Sequence, residues 1–233
     1  MNAWKTIFAA LWIGMPLAGN AQSGPVVVEL FTSQGCSSCP PADALLHRLA
    51  GRDDVLPLAL HVDYWDYIGW KDQFANPAHT LRQKGYAHAG GRTMIYTPQM
   101  VIMGQDDVVG ADAMELSDVI AKHRRMEPQV QLVAVREGEV LSLHLRPLVD
   151  LPQEPLMVQL VRFAPVKSIE ITRGELAGRQ FNYANVVEDW QQLETWDGQS
   201  ELAITVPMTG AEPAAILVQQ GNYGAILAAA RVD

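Results

Sequence analysis

The segment Val26–Ala42, with the sequence VVVELFTSQGCSSCPPA, contains the strongest structural signal in this chain. Its first six residues are apolar and rich in valine, apart from Glu29, and such a run predicts a buried strand. After Cys39, the residues Ala42, Leu45, Leu46 and Leu49 recur at helical spacing, and Gly51 predicts the end of that helix. The sequence therefore predicts that the two cysteines lie where a strand passes into a helix.

The same alternation of strands and helices continues to about Met126. Val55–Val62 predicts a second buried strand, and Asn76-Pro77 is typical of a helix start, with that helix ending near Gly90. Gln99–Met103 and Val108-Val109 predict a hairpin, after which Asp112 begins a last helix. We therefore predict an α/β domain over residues 22–127.

The pattern changes after Glu127-Pro128. Val140–Arg146 alternates apolar and polar residues strictly, and Leu202, Ile204 and Val206 follow the same period of two. Strand-like runs recur about every dozen residues, which is typical of an antiparallel sandwich or barrel. We predict an all-β, sandwich-like domain over residues 128–233.

The N-terminus predicts export. Lys5 precedes the apolar run Thr6–Leu17, and Gly19-Asn20-Ala21 supplies the small residues of a cleavage site. An apolar run of this length is too short for a membrane span, which needs about 20 residues. We therefore predict a signal peptide over residues 1–21, a secreted mature chain that is not stably inserted in a membrane, and a periplasmic destination.

Composition excludes several classes of function. The chain has 233 residues, 48% of them hydrophobic, and its 17 basic and 26 acidic residues give a net charge of −9. An acidic chain without basic clusters is not expected to bind nucleic acid. The sequence has no P-loop, dinucleotide fingerprint, HExxH or GxSxG motif, so it predicts no cofactor.

Cys36 and Cys39, the only cysteines, form a C-x-x-C motif. At the start of a helix, backbone N–H groups and the helix dipole stabilise a thiolate. The motif predicts a thiol–disulfide oxidoreductase in which Cys36, on the exposed side, attacks a substrate disulfide and Cys39 resolves the mixed disulfide. Its partners would be thiols or disulfides of envelope proteins or small molecules.

Several alternatives remain open at this stage. The cysteines could form a structural disulfide, although so short a loop stabilises a fold by only about 2 kcal/mol. They could instead bind Cu(I) together with His61, as in a metallochaperone, because soft sulfur ligands favour that ion. A redox-inactive binding module of the cell envelope is the third alternative.

The C-x-x-C motif, the element order and Thr97-Pro98 together resemble the thioredoxin superfamily. The resemblance implies a thioredoxin-like fold for the α/β domain, a cis peptide bond at Pro98, and substrate docking at Thr97. It also implies that Glu29 is a buried acid that helps to deprotonate the resolving cysteine. The alternative for Glu29 is a strand carboxylate held by hydrogen bonds.

More narrowly, three segments resemble a family of secreted thioredoxin-like proteins known as domain of unknown function 1223, and the all-β tail fits that family too. The segments are Val28–Cys36, Pro40–Asp43 and His61–Asp66.

Gly35 replaces the tryptophan usual in thioredoxins, and the prolines after Cys39 predict a helix that begins at Pro40. The aromatic residues Tyr64, Trp65, Tyr67 and Trp70 are predicted to fill the core or to line a groove beside the cysteines.

Overall fold

The structure is a computed structural model that describes residues 24–232. The predicted signal peptide, residues 1–21, lies outside the described residues. The three helices are α1 (Pro40–Leu49), α2 (Pro77–Ala89) and α3 (Ala113–Arg124). The strands are β1 (Val26–Thr32), β2 (Val55–His61), β3 (Gln99–Ile102), β4 (Asp106–Val109), β5 (Val130–Glu137), β6 (Val140–Pro147), β7 (Leu156–Ile171), β8 (Arg179–Trp196), β9 (Leu202–Pro207), β10 (Ala214–Gln220) and β11 (Ile226–Val232).

The helices begin where their capping residues predict. Asn76 accepts a hydrogen bond from the N–H of Ala78, and Asp112 accepts bonds from the first turn of α3. Cys39 is the N-cap of α1 but makes no side-chain capping bond, and Pro40 and Pro41 follow it. The predicted helix start at Pro40 is confirmed.

Eight strands form one mixed sheet in the order β11-β10-β7-β8-β2-β1-β3-β4. β1 is parallel to β2 on one side and antiparallel to β3 on the other. The other edge of β2 meets β8 in parallel at Ala59 and Val186. The remaining strands β5, β6 and β9 form a second, three-stranded sheet.

The predicted fold class, an α/β thioredoxin-like domain followed by an all-β sandwich-like domain, is wrong. The chain is mainly β, and strands from both segments form the eight-stranded sheet. The physical reason is that every residue of β2 is buried, so its second edge needs hydrogen-bond partners, and β8 supplies them. The predicted boundary between residues 127 and 128 falls in the connection from α3 to β5.

The large sheet is covered on both faces. On one face Val28 and Leu30 pack with Leu46 of α1 and Ile120 of α3. The opposite face of β1 and β2 shares a buried cluster with β10 and β11, in which Val27, Leu58, Leu217 and Ala229 take part. The core is therefore continuous between the two segments of the sequence.

The three-stranded sheet packs on the distal part of the large one. Leu141, Leu143 and Leu145 of β6, the residues predicted to share one face, are buried against Val158 and Ile216. Across residues 24–232 we find no helix with the length and apolar character needed to cross a membrane.

Candidate functional site: a buried disulfide beside a polar cluster

Cys36 and Cys39 are joined in a disulfide at the junction of β1 and α1, with Cα atoms 5.4 Å apart. The N–H of Cys36 donates to the carbonyl oxygen of Ser33 at 3.1 Å, and the N–H of Cys39 donates to that of Cys36 at 3.2 Å. These bonds form a tight turn that leads directly into the helix. The sequence therefore placed the motif correctly between strand and helix.

Both cysteines are buried, which corrects the expectation that Cys36 is exposed. Cys36 is 1% exposed and Cys39 is fully buried, whereas Ser37 and Ser38 between them are exposed. The Oγ of Ser38 lies 3.4 Å from the Sγ of Cys36. The disulfide is thus next to the surface, but the residues around it cover its sulfur atoms.

Asp43 follows Cys39 by one turn of α1, and its N–H donates to the Cys39 carbonyl oxygen at 3.1 Å. Thr32 of β1 donates its hydroxyl to Oδ1 of Asp43 at 2.8 Å, while Oδ2 has no hydrogen-bond partner. Burial disfavours the ionised carboxylate and raises the pKa of Asp43 to about 7. A carboxyl group beside Cys39 can therefore bind or release a proton at neutral pH.

His61 and Asp72 form a second buried pair. Nδ1 of His61 lies 2.8 Å from Oδ2 of Asp72, and neither side chain is exposed. The N–H groups of Gln34 and Phe74 also donate to this carboxylate, each at 2.8 Å. Burial alone would raise the pKa of Asp72, but His61 and these hydrogen bonds outweigh it and lower the pKa below its usual value.

These groups belong to one cluster because of the strand register. Thr32 and His61 are partners across β1 and β2, and paired residues on parallel strands face the same side of the sheet. This side is the one that α1 covers, since Leu30 and Ala59 two residues earlier pack with that helix. We call Thr32, Gln34, Asp43, His61 and Asp72 the buried polar cluster.

The buried polar cluster contains three side-chain atoms without hydrogen-bond partners: Nε2 of Gln34, Oδ2 of Asp43 and Nε2 of His61. Within residues 24–232 no other buried side-chain nitrogen or oxygen lacks a partner. An unpaired buried polar atom costs about 1–3 kcal/mol, so such atoms usually bind an internal water molecule or take part in function. Their concentration beside the disulfide marks this region as the candidate site.

Glu29 does not belong to this cluster. It faces the opposite side of β1, where Arg82 contacts both carboxylate oxygens at 2.6 and 3.2 Å and Tyr86 donates a further bond. The hydrogen-bonded alternative for Glu29 is therefore what the structure shows. Strand alternation explains why, since Val27 and Phe31 share its side, away from α1.

The Thr97–Pro98 peptide bond is cis, as the resemblance implied. Nε1 of Trp65 donates to Oγ1 of Thr97 at 2.7 Å. A Cβ atom added to Gly35 would lie 3.1 Å from the Cβ of Trp65. Trp65 thus contacts both the residue before Cys36 and the residue before Pro98, and it occupies the space into which a side chain at position 35 would extend.

The other predicted aromatic residues divide between burial and exposure. Trp70 donates its Nε1–H to Oε1 of Gln34 at 2.7 Å, and Tyr64 donates to Gln83. Tyr67 is 80% exposed and stacks on Trp65, with ring centroids 6.5 Å apart. Trp65 and Trp70 thus contact Gly35 and Gln34, which immediately precede Cys36 in the sequence, and Tyr67 covers Trp65 on the surface.

The sequence patterns did not indicate a role for Asp43 or Asp72. Asp43 had a usable signal, because a residue four positions after Cys39 lies on the same face of the helix. Asp72 had none, since it lies in the loop before α2 and reaches His61 only through the tertiary fold. Within residues 24–232, no group of three or more histidine, cysteine, aspartate or glutamate side chains is arranged to hold a metal ion.

Comparison with known proteins places the chain in a family. The family model described as "Protein of unknown function (DUF1223)" matches residues 27–219. The X-ray crystal structure of protein AGR_C_4864 from Agrobacterium tumefaciens is 32% identical, with a TM-score of 0.76 over 90% of this chain and 94% of that one. No curated protein matches the chain. The chain belongs to the DUF1223 family of proteins of unknown function.

Proposed function

We propose that this protein is an exported thiol–disulfide oxidoreductase in which Cys36 and Cys39 exchange with a substrate disulfide. One observation carries the proposal: the Cys36–Cys39 disulfide begins a helix whose next turn holds a buried carboxyl group with a pKa near neutrality. A structural disulfide needs no such acid. Closing a loop this short also stabilises the fold by only about 2 kcal/mol.

The exchange proceeds in two balanced steps. The reduced Cys36 thiolate attacks one sulfur of the substrate disulfide, and the other substrate sulfur leaves as a thiolate. The Cys39 thiolate then attacks the Sγ of Cys36, which forms the Cys36–Cys39 disulfide and releases the second substrate thiolate. Two electrons pass from the protein to the substrate, and the reverse sequence oxidises a substrate dithiol.

Asp43 accepts the proton that Cys39 must lose before the second step. The thiolate is the reactive form of cysteine, so a base within one helical turn accelerates resolution. A carboxyl group whose pKa is about 7 is well suited to this task, because it is neither fully protonated nor strongly acidic at neutral pH. Asp43 thus takes the role that the resemblance assigned to Glu29.

The resemblance to the thioredoxin superfamily is part of this proposal and concerns the local chemistry alone. The C-x-x-C turn before α1 and the cis peptide at Thr97–Pro98 support it. Export through residues 1–21 and a periplasmic location are proposed with it, since a disulfide persists in an oxidising compartment. The proposed substrates are disulfides of envelope proteins.

The test is the reduction of insulin by the purified mature chain, with dithiothreitol as the electron donor. We expect turnover above the uncatalysed rate, complete loss of turnover in Cys36→Ala, and accumulation of a mixed disulfide with substrate in Cys39→Ala. Turnover that survives Cys36→Ala would overturn the proposal.

An exposed serine provides a matched control for Cys36→Ala, because serine and cysteine side chains are similar in size. Ser117 lies on the exposed side of α3, and the Ser117→Ala variant is expected to retain full turnover. Equal activity in Ser117→Ala and Cys36→Ala would mean that the observed reduction does not pass through the disulfide.

A further inference from the structure

The His61–Asp72 pair has no role in the exchange steps given above, yet it lies beside Asp43. Burial of two ionisable groups is costly unless they are paired, and here the pairing leaves Nε2 of His61 without a partner. The arrangement therefore needs a further explanation.

The hydrogen bond between Nδ1 and Asp72 determines the tautomer of His61. The carboxylate accepts, so a neutral imidazole in this position carries its proton on Nδ1 and presents a lone pair at Nε2. Asp72 also stabilises the imidazolium that forms if Nε2 takes up a second proton. His61 is thus oriented to accept a proton from within the buried polar cluster.

Asp43 is a proton donor on the same side of the sheet as His61. Thr32 is the strand partner of His61 and holds Oδ1 of Asp43, so Asp43 and His61 lie over neighbouring strands on the same side of the sheet. Two hydrogen-bond acceptors are available here, Oδ2 of Asp43 and Nε2 of His61, and Nε2 of Gln34 is a donor. Two to four such partners are what an internal water molecule requires.

The route also leads towards solvent. Asp43 is buried between α1 and β1, whereas Asp72 contributes to the wall of a surface pocket whose other charged lining residues are Asp66, Lys71 and Arg173. Asp66 is partly exposed and accepts a hydrogen bond from the N–H of Asp72 at 3.0 Å. A proton held by the His61–Asp72 pair is therefore one residue from the surface.

We propose that His61, oriented by Asp72, takes up the proton from Asp43 through one water molecule that bridges Asp43 and His61. This inference rests on the proposed exchange at Cys36 and Cys39. The proton leaves the Cys39 thiol for the Asp43 carboxylate, then passes by way of the water to Nε2 of His61, whose imidazolium is paired with Asp72. Asp43 returns to its ionised form, and the imidazolium gives the proton back by the same route when the Cys36–Cys39 disulfide is reduced again.

Four titratable groups face His61: Asp43 of α1, His79 of α2, Tyr183 of β8 and Asp72 in the loop before α2. Burial lowers the pKa of His79 to about 4 and raises the pKa of Tyr183, so both are neutral near pH 7. Asp43 and Asp72 are therefore the two of these groups that can carry a charge near pH 7.

The experiment separates the two chemical steps by stopped-flow reaction of the reduced protein with Ellman's reagent. Attack by Cys36 releases the first coloured thiolate, and attack by Cys39 on the mixed disulfide releases the second. We expect His61→Gln and Asp72→Asn to slow the second release by about tenfold or more near pH 7 and to leave the first unchanged. The loss should shrink as pH rises, because hydroxide then replaces the relay.

His79→Gln is the matched control, since His79 is a buried neighbour whose Nδ1 is bonded to the His61 carbonyl oxygen at 2.9 Å. Both release rates should be unchanged in it. Wild-type rates and an unchanged pH profile in folded His61→Gln would overturn the relay and leave the exchange proposal intact. Absence of a second release in the wild type would instead overturn the exchange itself.

A measurement on the wild type covers the case in which both relay variants fail to fold. The second release is followed in mixtures of light and heavy water, and the rate is plotted against the deuterium fraction. A relay through water moves more than one proton, which predicts a curved plot. A straight plot would overturn the relay.

Discussion

The N–H of Asp43 donates to the carbonyl oxygen of Cys39 at 3.1 Å, which fixes a buried carboxyl group one helical turn from one half of the disulfide. Because one oxygen of this carboxyl group has no hydrogen-bond partner, its ionised form is poorly stabilised in the folded protein. The same placement has consequences for stability as well as for chemistry.

We predict that Asp43 makes the folded protein less stable as pH rises from about 4 to about 7. The pKa of Asp43 is about 7 in the folded protein and ordinarily 3.8, so the folded chain binds the extra proton in this window. The contribution of Asp43 to stability is then greatest below pH 4 and is lost as pH approaches 7, by a total of about 4 kcal/mol.

Urea unfolding of the oxidised protein between pH 4 and pH 8 measures this effect. Asp43→Asn should remove most of the pH dependence, whereas Asp53→Asn, at an exposed position, should retain it. The prediction would be contradicted if the free energy of unfolding changed with pH in the same way in the wild type and in Asp43→Asn.

A second prediction concerns Glu29, which the structure places with Arg82 rather than with the cysteines. Glu29→Gln should destabilise the fold by about 3 kcal/mol, because it leaves a buried guanidinium without its charged partner. The double variant Glu29→Gln with Arg82→Met should recover part of this loss, since no unpaired charge then remains.

Chemical denaturation gives the stability of these variants, with Glu170→Gln at an exposed position as the control. The release rates with Ellman's reagent should be the same in folded Glu29→Gln as in the wild type. A selective slowing of the Cys39 step would return Glu29 to the role that the resemblance implied.

Local elements were predictable because local chemistry specifies them. Asn76-Pro77 marked the start of α2, and the apolar runs marked β1 and β2, in each case within about a residue. The C-x-x-C motif was placed correctly for the same reason. These features depend on capping and periodicity, which short segments of sequence express directly.

Features that depend on tertiary pairing were not predictable. Nothing local to β8 indicates that Val186 pairs with Ala59 of β2, so the fold class was wrong. The contact between His61 and Asp72 depends on the path of an irregular loop. Strand alternation could have excluded Glu29 from the cysteine side, but only after α1 was assigned to the opposite face of β1.

A third prediction concerns the hydrogen bond from Trp65 to Thr97. Thr97→Val keeps the shape of the side chain and removes the acceptor, so the indole N–H loses its partner. We expect a loss of about 1 kcal/mol in stability and an increased KM for insulin, because the segment before Pro98 is then held less firmly.

Thr93→Val, at an exposed position nearby, is the control for substituting a threonine in this segment. Thermal unfolding and insulin turnover measure the two effects. If KM is unchanged in Thr97→Val while stability falls, Thr97 supports the fold without taking part in docking.

The last prediction tests the junction that joins the two segments of the sequence. Asn185 of β8 is buried, has a positive φ of 47°, and donates from Nδ2 to the carbonyl oxygen of Pro57 in β2 at 2.8 Å. Asn185→Gly keeps the left-handed backbone accessible but removes the hydrogen bond, so we expect a loss of about 1 kcal/mol. Asn185→Ala removes the hydrogen bond and also disfavours the left-handed backbone, so its loss of stability should be about 2 kcal/mol.

Urea unfolding followed by tryptophan fluorescence and by far-ultraviolet circular dichroism measures these losses, with exposed Asn182→Ala on the same strand as the control. Because β2 and β8 belong to one sheet and share its core, the two signals should shift together in both Asn185 variants. If the fluorescence and circular dichroism transitions separated in Asn185→Ala, the two segments would unfold independently, and the β2–β8 pairing would contribute little to the cooperativity of the fold.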